Sequence, residues 1–260
     1  MNLFLSFTSY NILKTPQFVG LHNYIRMLKD PYVSASFRNT ILFTLIIVPS
    51  QTVISLVLAS LISVSFKKRY GDFIRSALFV PVIASTVLVG TLWSLLLSLY
   101  GPVNELIRLC GLQPVNWFGG KISSMLSVCM ATVWKNIGYF LVIFYAGILD
   151  IPSSLYEAAK VDGASQIQIF FNVTLPGLSE ITYLVITLGT IWSFQTFDMV
   201  YTMTGGGPGL STVSLVLTIY NTAFKEYNMG YASAIALLMF ILVIIIQAAQ
   251  KKILAGGKEK

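Results

Sequence analysis

Apolar side chains fall along this chain in five long runs, at about residues 39–65, 73–99, 122–149, 180–203 and 230–249. A helix rises about 1.5 Å per residue, so each run supplies the roughly 20 residues needed to cross a hydrocarbon core. Lipid offers no partner to a backbone amide or carbonyl, so a crossing segment must be a helix or part of a closed barrel. The period-two alternation of barrel strands is absent. The pattern predicts an all-α integral membrane protein, a polytopic bundle with five complete spans. A sixth apolar piece, Leu3–Tyr10, is too short to cross. It reads as the end of a truncated first helix or as a short interfacial segment. It lacks the basic start and small-residue cleavage site of a signal peptide.

Composition sharpens the class. Apolar residues form 55% of the chain and charged residues 10%, with a mean hydropathy of +0.76. A water-facing domain carries about a quarter charged residues. The net charge of +7 does not point to nucleic acid, because the basic residues cluster at the ends of spans. Lys67, Lys68, Arg69 and Arg75 sit around one short connection, and Lys251, Lys252, Lys258 and Lys260 follow the last run. Such clusters mark the cytoplasmic side. This places 66–72, 150–179 and the tail after 250 inside, and 101–120 and 205–229 outside. Cys110 and Cys129 lack metal-ligand spacing, and free thiols are expected in preference to a disulfide. His22 stands alone, and no Walker lysine follows the glycines at 205–207, so nothing marks a metal or nucleotide site. The glycine run reads as a turn-rich outer loop.

One connection is long and polar: IPSSLYEAAKVDGASQIQIFFNVTLPGL, residues 151–178. Pro152 ends the preceding span. Ser154 and Glu157 have capping-box spacing, and Glu157–Lys160 is a strong helix former. Gly163 permits a bend. A second short helix, about Ala164–Phe171, is expected to stop at Leu175-Pro176. The segment thus writes helix, bend, helix. A connection need be only about 4–6 residues long, so the extra length points to docking a partner, with a plain structural loop as the alternative.

The spacing Glu157-Ala158-Ala159, Gly163, Val173, Leu175-Pro176 resembles the EAA loop of binding-protein-dependent ABC importer permeases, with Val173 where the family has isoleucine. Ser6-Phe7-Thr8, Phe18–Leu21, Asn23-Tyr24 and Thr204–Pro208 are similar to the maltose, lactose and glycerol-3-phosphate permease branch. Members of that branch have at least six spans, which agrees with a truncated first helix here. The resemblance implies one transmembrane domain over residues 1–260, multi-pass in the bacterial cytoplasmic membrane. It implies a second homologous permease, two cytosolic ATPase subunits and an extracytoplasmic solute-binding protein as partners. ATP and Mg would belong to the ATPases, leaving this chain without cofactor, metal or bond chemistry. The implied coupling residues are Glu157, Ala158, Ala159, Asp162, Gly163, Val173, Leu175 and Pro176.

Polar residues within spans usually face a bundle interior or cavity. Thr132, Lys135, Asn136 and Tyr139 recur at i, i+3, i+4 and i+7, as do Gly189, Trp192, Ser193 and Thr196, so each set is expected on one helix face. Hydrogen-bonding groups beside aromatic planes suit a sugar; the alternative is helix–helix packing. Lys135 could face an anionic sugar, snorkel, or pair with Asp198. Pro49 and Pro81 are expected to kink their spans. Other solute classes for the same machine are a polyol, a phosphorylated glycerol or a uronic-acid oligomer. A secondary transporter would need an ionisable coupling residue at mid-membrane, for which Lys135 is the one candidate.

Overall fold

The computed structural model describes residues 1–13, 15–65 and 68–255; Lys67, Lys258 and Lys260, three of the basic positions weighed for orientation, lie outside them. Three of the apolar runs are continuous helices: α3 (Pro31–Ser65), α7 (Lys121–Asp150) and α14 (Met229–Ala255). The other two are broken. The run at 73–99 divides into α4 (Lys68–Ile83) and α5 (Thr86–Leu96), which meet at 99°, and a short helix, α6 (Pro102–Leu109), follows before α7. The run at 180–203 divides into α11 (Ser179–Phe194) and α12 (Asp198–Met203).

The N-terminal piece forms α1 (Asn2–Ser6), which ends four residues earlier than its apolar run. Thr8–Ser9 (β1) then pairs antiparallel with Gln17–Phe18 (β2), Thr8 opposite Phe18, and this ladder takes the chain out of the helix. A short helix, α2 (His22–Lys29), leads to α3. That helix starts eight residues ahead of its apolar run because the polar turn before the run is itself well capped. Pro31 stands at the first helical position, where its missing amide costs nothing, and Asp30 Oδ1 accepts a hydrogen bond from Tyr32 N at 2.9 Å. Pro49 lies inside α3 without ending it.

Two apolar cores stack along α3 and α7. One gathers Phe43 and Ile47 with Val128, Met199 and Val200; the other gathers Leu56 and Ala59 with Phe140, Phe144 and Val185. Gln51, Ser55 and Asn136 lie between them in both helices. There Asn136 Nδ2 donates to Gln51 Oε1 at 3.1 Å, and Ser55 Oγ donates to Ile137 O at 3.0 Å. Faces turned away from the cores stay apolar, with Leu45, Val53, Val57 and Leu61 exposed on α3, as lipid or a protein partner requires and water does not.

The glycine-rich segment after α12 is the turn-rich loop that its composition predicts, but it does not stand free of the bundle. It folds back on α3. Asn39 Nδ2 donates to Leu210 O and Val213 O at 2.7 and 3.0 Å, Thr40 Oγ1 accepts from Leu215 N at 3.0 Å, and residues 211–215 are buried. Thr204 and Thr212 join their hydroxyls across the loop at 2.8 Å. The buried helix α13 (Leu215–Tyr220) follows, and a wide π-helical turn (Asn221–Lys225) leads to α14. Asn39 is therefore the strap of this loop. Asn39→Leu leaves two carbonyls unpaired and is expected to lower complex stability by about 1–3 kcal/mol. The check is the melting temperature of the detergent-solubilised complex together with protease cleavage between 205 and 210; an unchanged melting temperature would contradict the strap.

Candidate functional site

The long polar connection forms α8 (Ser153–Val161), then α9 (Gln166–Ile169), a wide π-helical turn (Phe170–Thr174) and α10 (Leu175–Gly177). The α9–α10 segment meets α11 at 69°. α8 closes on Gly163, whose φ of +74° favours a residue without Cβ. Ala164 N donates to Ala159 O at 2.9 Å and Gly163 N to Lys160 O at 3.1 Å, the paired bonds of a Schellman stop.

Two local expectations fail. The capping box is not Ser154 with Glu157, because α8 starts at Ser153 and both residues are already helical. The box sits instead at Ser165 and Gln168, where Gln168 Oε1 accepts from Ser165 N at 2.8 Å and Ser165 Oγ accepts from Gln168 N at 3.4 Å. Nor does Leu175-Pro176 stop the second helix. Pro176 cannot donate to residue 172 and crowds its carbonyl, and the wider turn just before it absorbs that clash, so the helix runs on to Gly177.

Glu157, Ala158, Asp162, Gly163 and Pro176 are exposed, while Ala159, Val173 and Leu175 are half-buried. Tyr156 OH and Thr174 Oγ1, 3.3 Å apart, join α8 to the wide turn. This helix–bend–helix segment, residues 151–178, forms a lever-shaped arm that stands off the ends of α3 and α7 and leaves a groove of about 920 Å³, lined by Leu61, Val64, Leu149, Tyr156 and Phe170 among others.

The two polar sets meet only in part. Thr132, Lys135, Asn136, Trp192 and Thr196 line one cleft of about 150 Å³. Tyr139 does not line it; its ring lies against Trp192, centroids 4.8 Å apart. Gly189 and Ser193 turn towards α3. A Cβ on Gly189 would stand 2.4 Å from Gln51 Nε2, and Ser193 Oγ donates to Thr44 Oγ1 at 3.0 Å. Thr196 is not on the helix face shared by Gly189, Trp192 and Ser193, because α11 ends at Phe194 and Thr196 falls in the break before α12. It reaches the cleft from there.

Lys135 neither pairs with Asp198 nor snorkels to an interface. Its Nζ donates to the carbonyls of Pro81, Val82 and Ala84 at 3.3, 3.0 and 2.9 Å. Among the described residues the ion pairs are Arg75–Asp72 and Arg108–Glu105. The three carbonyls belong to the last turn of α4 and the residue beyond it, where the break into α5 removes their helical donors. Gly138, one turn further along α7, lets the helices approach: a Cβ there would stand 2.1 Å from Leu78 O. The break therefore comes three residues after Pro81, where the ammonium can cap it.

Asp198, expected only as a partner for Lys135, lines the cleft, and residues absent from the sequence reading complete it: Thr86 from α5, with Gln195, Phe197 and Met199 around the α11–α12 break. Gln51 supports it from α3. Gln51 is a carboxamide inside an apolar run, the same kind of signal that picked out Asn136, and it was readable. The lining from the α11–α12 break was not, because nothing in the run at 180–203 marks where the helix parts.

A bundle of this form, with broken spans around a small polar cleft and an exposed lever between the two spans that line it, is the architecture of a transport permease. Over residues 37–255 the chain belongs to the family of binding-protein-dependent transport system inner membrane components. It is a multi-pass inner-membrane permease of an ABC transporter. Its relatives include the probable ABC transporter permease protein YurN of Bacillus subtilis, 33% identical over all of this chain and 90% of that one. The sulfoquinovosyl glycerol transport system permease protein SmoG of Agrobacterium fabrum is 35% identical over 92% of this chain and 77% of its own length. The trehalose/maltose transport system permease protein MalF of Thermococcus litoralis is 36% identical over 87% and 76%. In fold, a chain of a bacterial ABC transporter that imports the acidic polysaccharide alginate superposes with a TM-score of 0.87 at 19% identity, covering 99% of this chain and 89% of that one.

Lys135→Met removes every donor from the α4–α5 break and is expected to lower both the yield and the melting temperature of the assembled permease, by the equivalent of about 1–3 kcal/mol. Lys135→Arg, which keeps the donors, should recover part of the loss. A methionine variant as stable as the parent would show that the three carbonyls find other partners.

Proposed function

We propose that this chain is a permease subunit of an ATP-driven importer for a neutral sugar. The observation that carries this reading is the cleft. It sets the carboxamide of Asn136 and the hydroxyls of Thr132 and Thr196 beside the indole of Trp192, in the two spans on either side of the lever. Hydroxyl-rich solutes need hydrogen-bond donors and acceptors together with an apolar plane for their C–H faces. Lys135 spends its ammonium on main-chain carbonyls, and the remaining charge in the lining is the carboxylate of Asp198. That balance favours an uncharged solute over a phosphorylated glycerol or a uronic-acid oligomer. Relatives named for trehalose and maltose, for lactose and for starch degradation products support the sugar class.

The lever supplies the drive. Two permeases pair in the membrane, each offering its α8–Gly163–α9 bend to a cytosolic ATPase subunit, and an extracytoplasmic binding protein delivers the solute. ATP and Mg act in the ATPases. Glu157, Ala158, Ala159 and Asp162 present the docking surface, and Gly163 fixes its angle. Val173, Leu175 and Pro176 carry the motion through the wide turn into α11, whose other end holds Trp192. Gly189 and Ser193 keep α11 seated on α3 while it moves, and Tyr139 backs Trp192.

The test is uptake of labelled mono-, di- and trisaccharides by proteoliposomes holding both permeases, the ATPases and the binding protein. Asn136→Ala and Trp192→Ala are expected to slow uptake per assembled complex, with roughly 0.5–1.5 kcal/mol lost for each hydrogen bond to a neutral partner. A Cβ at Gly163 meets no neighbour within 4 Å, so the cost of Gly163→Val falls first on the left-handed backbone. It should reduce ATPase co-purification and solute-stimulated hydrolysis while leaving membrane insertion intact. Accumulation of glycerol 3-phosphate in preference to every saccharide would overturn the solute class, and unaltered coupling in Gly163→Val would overturn the lever.

A further inference from the structure

Four aromatic rings lead away from the cleft. Phe197 lines it, from the break between α11 and α12. Its ring stacks on Tyr201 of α12, centroids 5.4 Å and planes 26° apart, and meets Tyr220 of α13 at 5.0 Å. Tyr201 and Tyr220 meet edge to face at 5.8 Å, and Tyr220 continues to Phe224 at 5.5 Å. Exposure alternates along the row: Phe197 and Tyr220 are half-buried, Tyr201 and Phe224 open, with Phe224 at the far end the most exposed. The row also has a direction. α12 lies beyond the end of α11 that is far from the lever, and Phe224 stands in the turn before α14 begins. The rings therefore climb from the cleft to the face opposite the lever.

We propose that this row is a loading track for saccharides, on which a sugar lays its C–H faces over successive rings before it enters the cleft. The inference rests on the sugar reading of the cleft given above. Ordinary core packing does not account for the row, since Tyr201 and Phe224 are open. An interfacial aromatic belt would account for exposed tyrosines, but it would not need a stacked series ending on a cleft-lining ring. The centroid spacings are comparable with the length of a hexopyranose unit, so a short saccharide reaches one ring before leaving the last. Lys225 adds selectivity. Its ammonium lies 5.6 Å from the Tyr201 centroid and 5.9 Å from that of Tyr220. An apolar molecule on these rings would displace a cation–π contact and return nothing. A sugar returns hydroxyl acceptors to the same ammonium.

The experiment uses the complete importer in proteoliposomes, with labelled glucose, galactose, maltose, lactose and maltotriose as probes. The double variant Tyr201→Leu with Phe224→Leu keeps apolar bulk but removes two ring faces. Initial uptake of the transported saccharide should fall on the order of tenfold, the scale of two lost aromatic contacts. Tyr201→Trp with Phe224→Trp, which keeps broad faces, should stay near the parent, and the melting temperature of both complexes should match the parent's. Undiminished uptake in the leucine variant overturns the track. So does an equal loss in both variants accompanied by a lowered melting temperature, which would assign the rings to packing. If the parent complex accumulates none of the probes, the sugar reading of the cleft fails and the track falls with it. If the parent transports and only the leucine variant is slow, both stand.

Discussion

A carbonyl freed inside a membrane must find a donor within the protein, and this fold is arranged around one such need. When α4 gives way to α5, the carbonyls of Pro81, Val82 and Ala84 lose their helical partners, and Lys135 meets all three. The contact fixes more than a bend. It requires α7 to lie close against α4, which the absence of a side chain at Gly138 permits. It also leaves uncharged groups to speak for α7 in the cleft. One ammonium thereby sets a helix break, a helix contact and the electrostatic character of the cleft. A lysine in a span, which at first reads as a contact for solute, serves the backbone.

The second organising feature is the polar layer between the two apolar cores. Gln51, Ser55 and Asn136 give α3 and α7 a fixed relative register, because a slip by one residue would strand a carboxamide in an apolar core. Ser193 and Gly189 dock α11 onto the neighbouring stretch of α3. The cleft is thus built on three helices whose positions are set by a few directional bonds, while the apolar cores above and below supply bulk attraction without register. Helix–helix packing by small and polar residues, the alternative to solute contact in these spans, accounts for Gly189 and Ser193.

Much of this was legible in the residues. Apolar run length gave the spans, and the spacing from Glu157 to Pro176 gave the lever and the family. What escaped was local. The breaks at Ala84-Ser85 and after Phe194 follow no proline or glycine at those positions; they depend on partners such as Lys135 that come from distant sequence. The capping box moved from Ser154 to Ser165 because Pro152 had already begun α8, so a correct signal was available and a competing one was preferred. Thr196 left its expected face for the same reason that the cleft exists at all, since periodicity ends where the helix does. The glycines at 205–207 announced the turns, but nothing near them announced that Asn39 and Thr40, far away in sequence, tie that segment down.

α3 takes part in every one of these regions. Asn39 and Thr40 hold the glycine-rich loop, Gln51 bonds the cleft-lining Asn136, and Leu61 and Val64 border the groove beside the lever. At 35 residues it is about 50 Å long, a single rod with no break at Pro49. It bonds to α11 at Thr44 and to α7 at Gln51 and Ser55, all along its middle third. A rod tied to the glycine-rich loop at one end and to two helices along its length cannot shift without carrying all three with it.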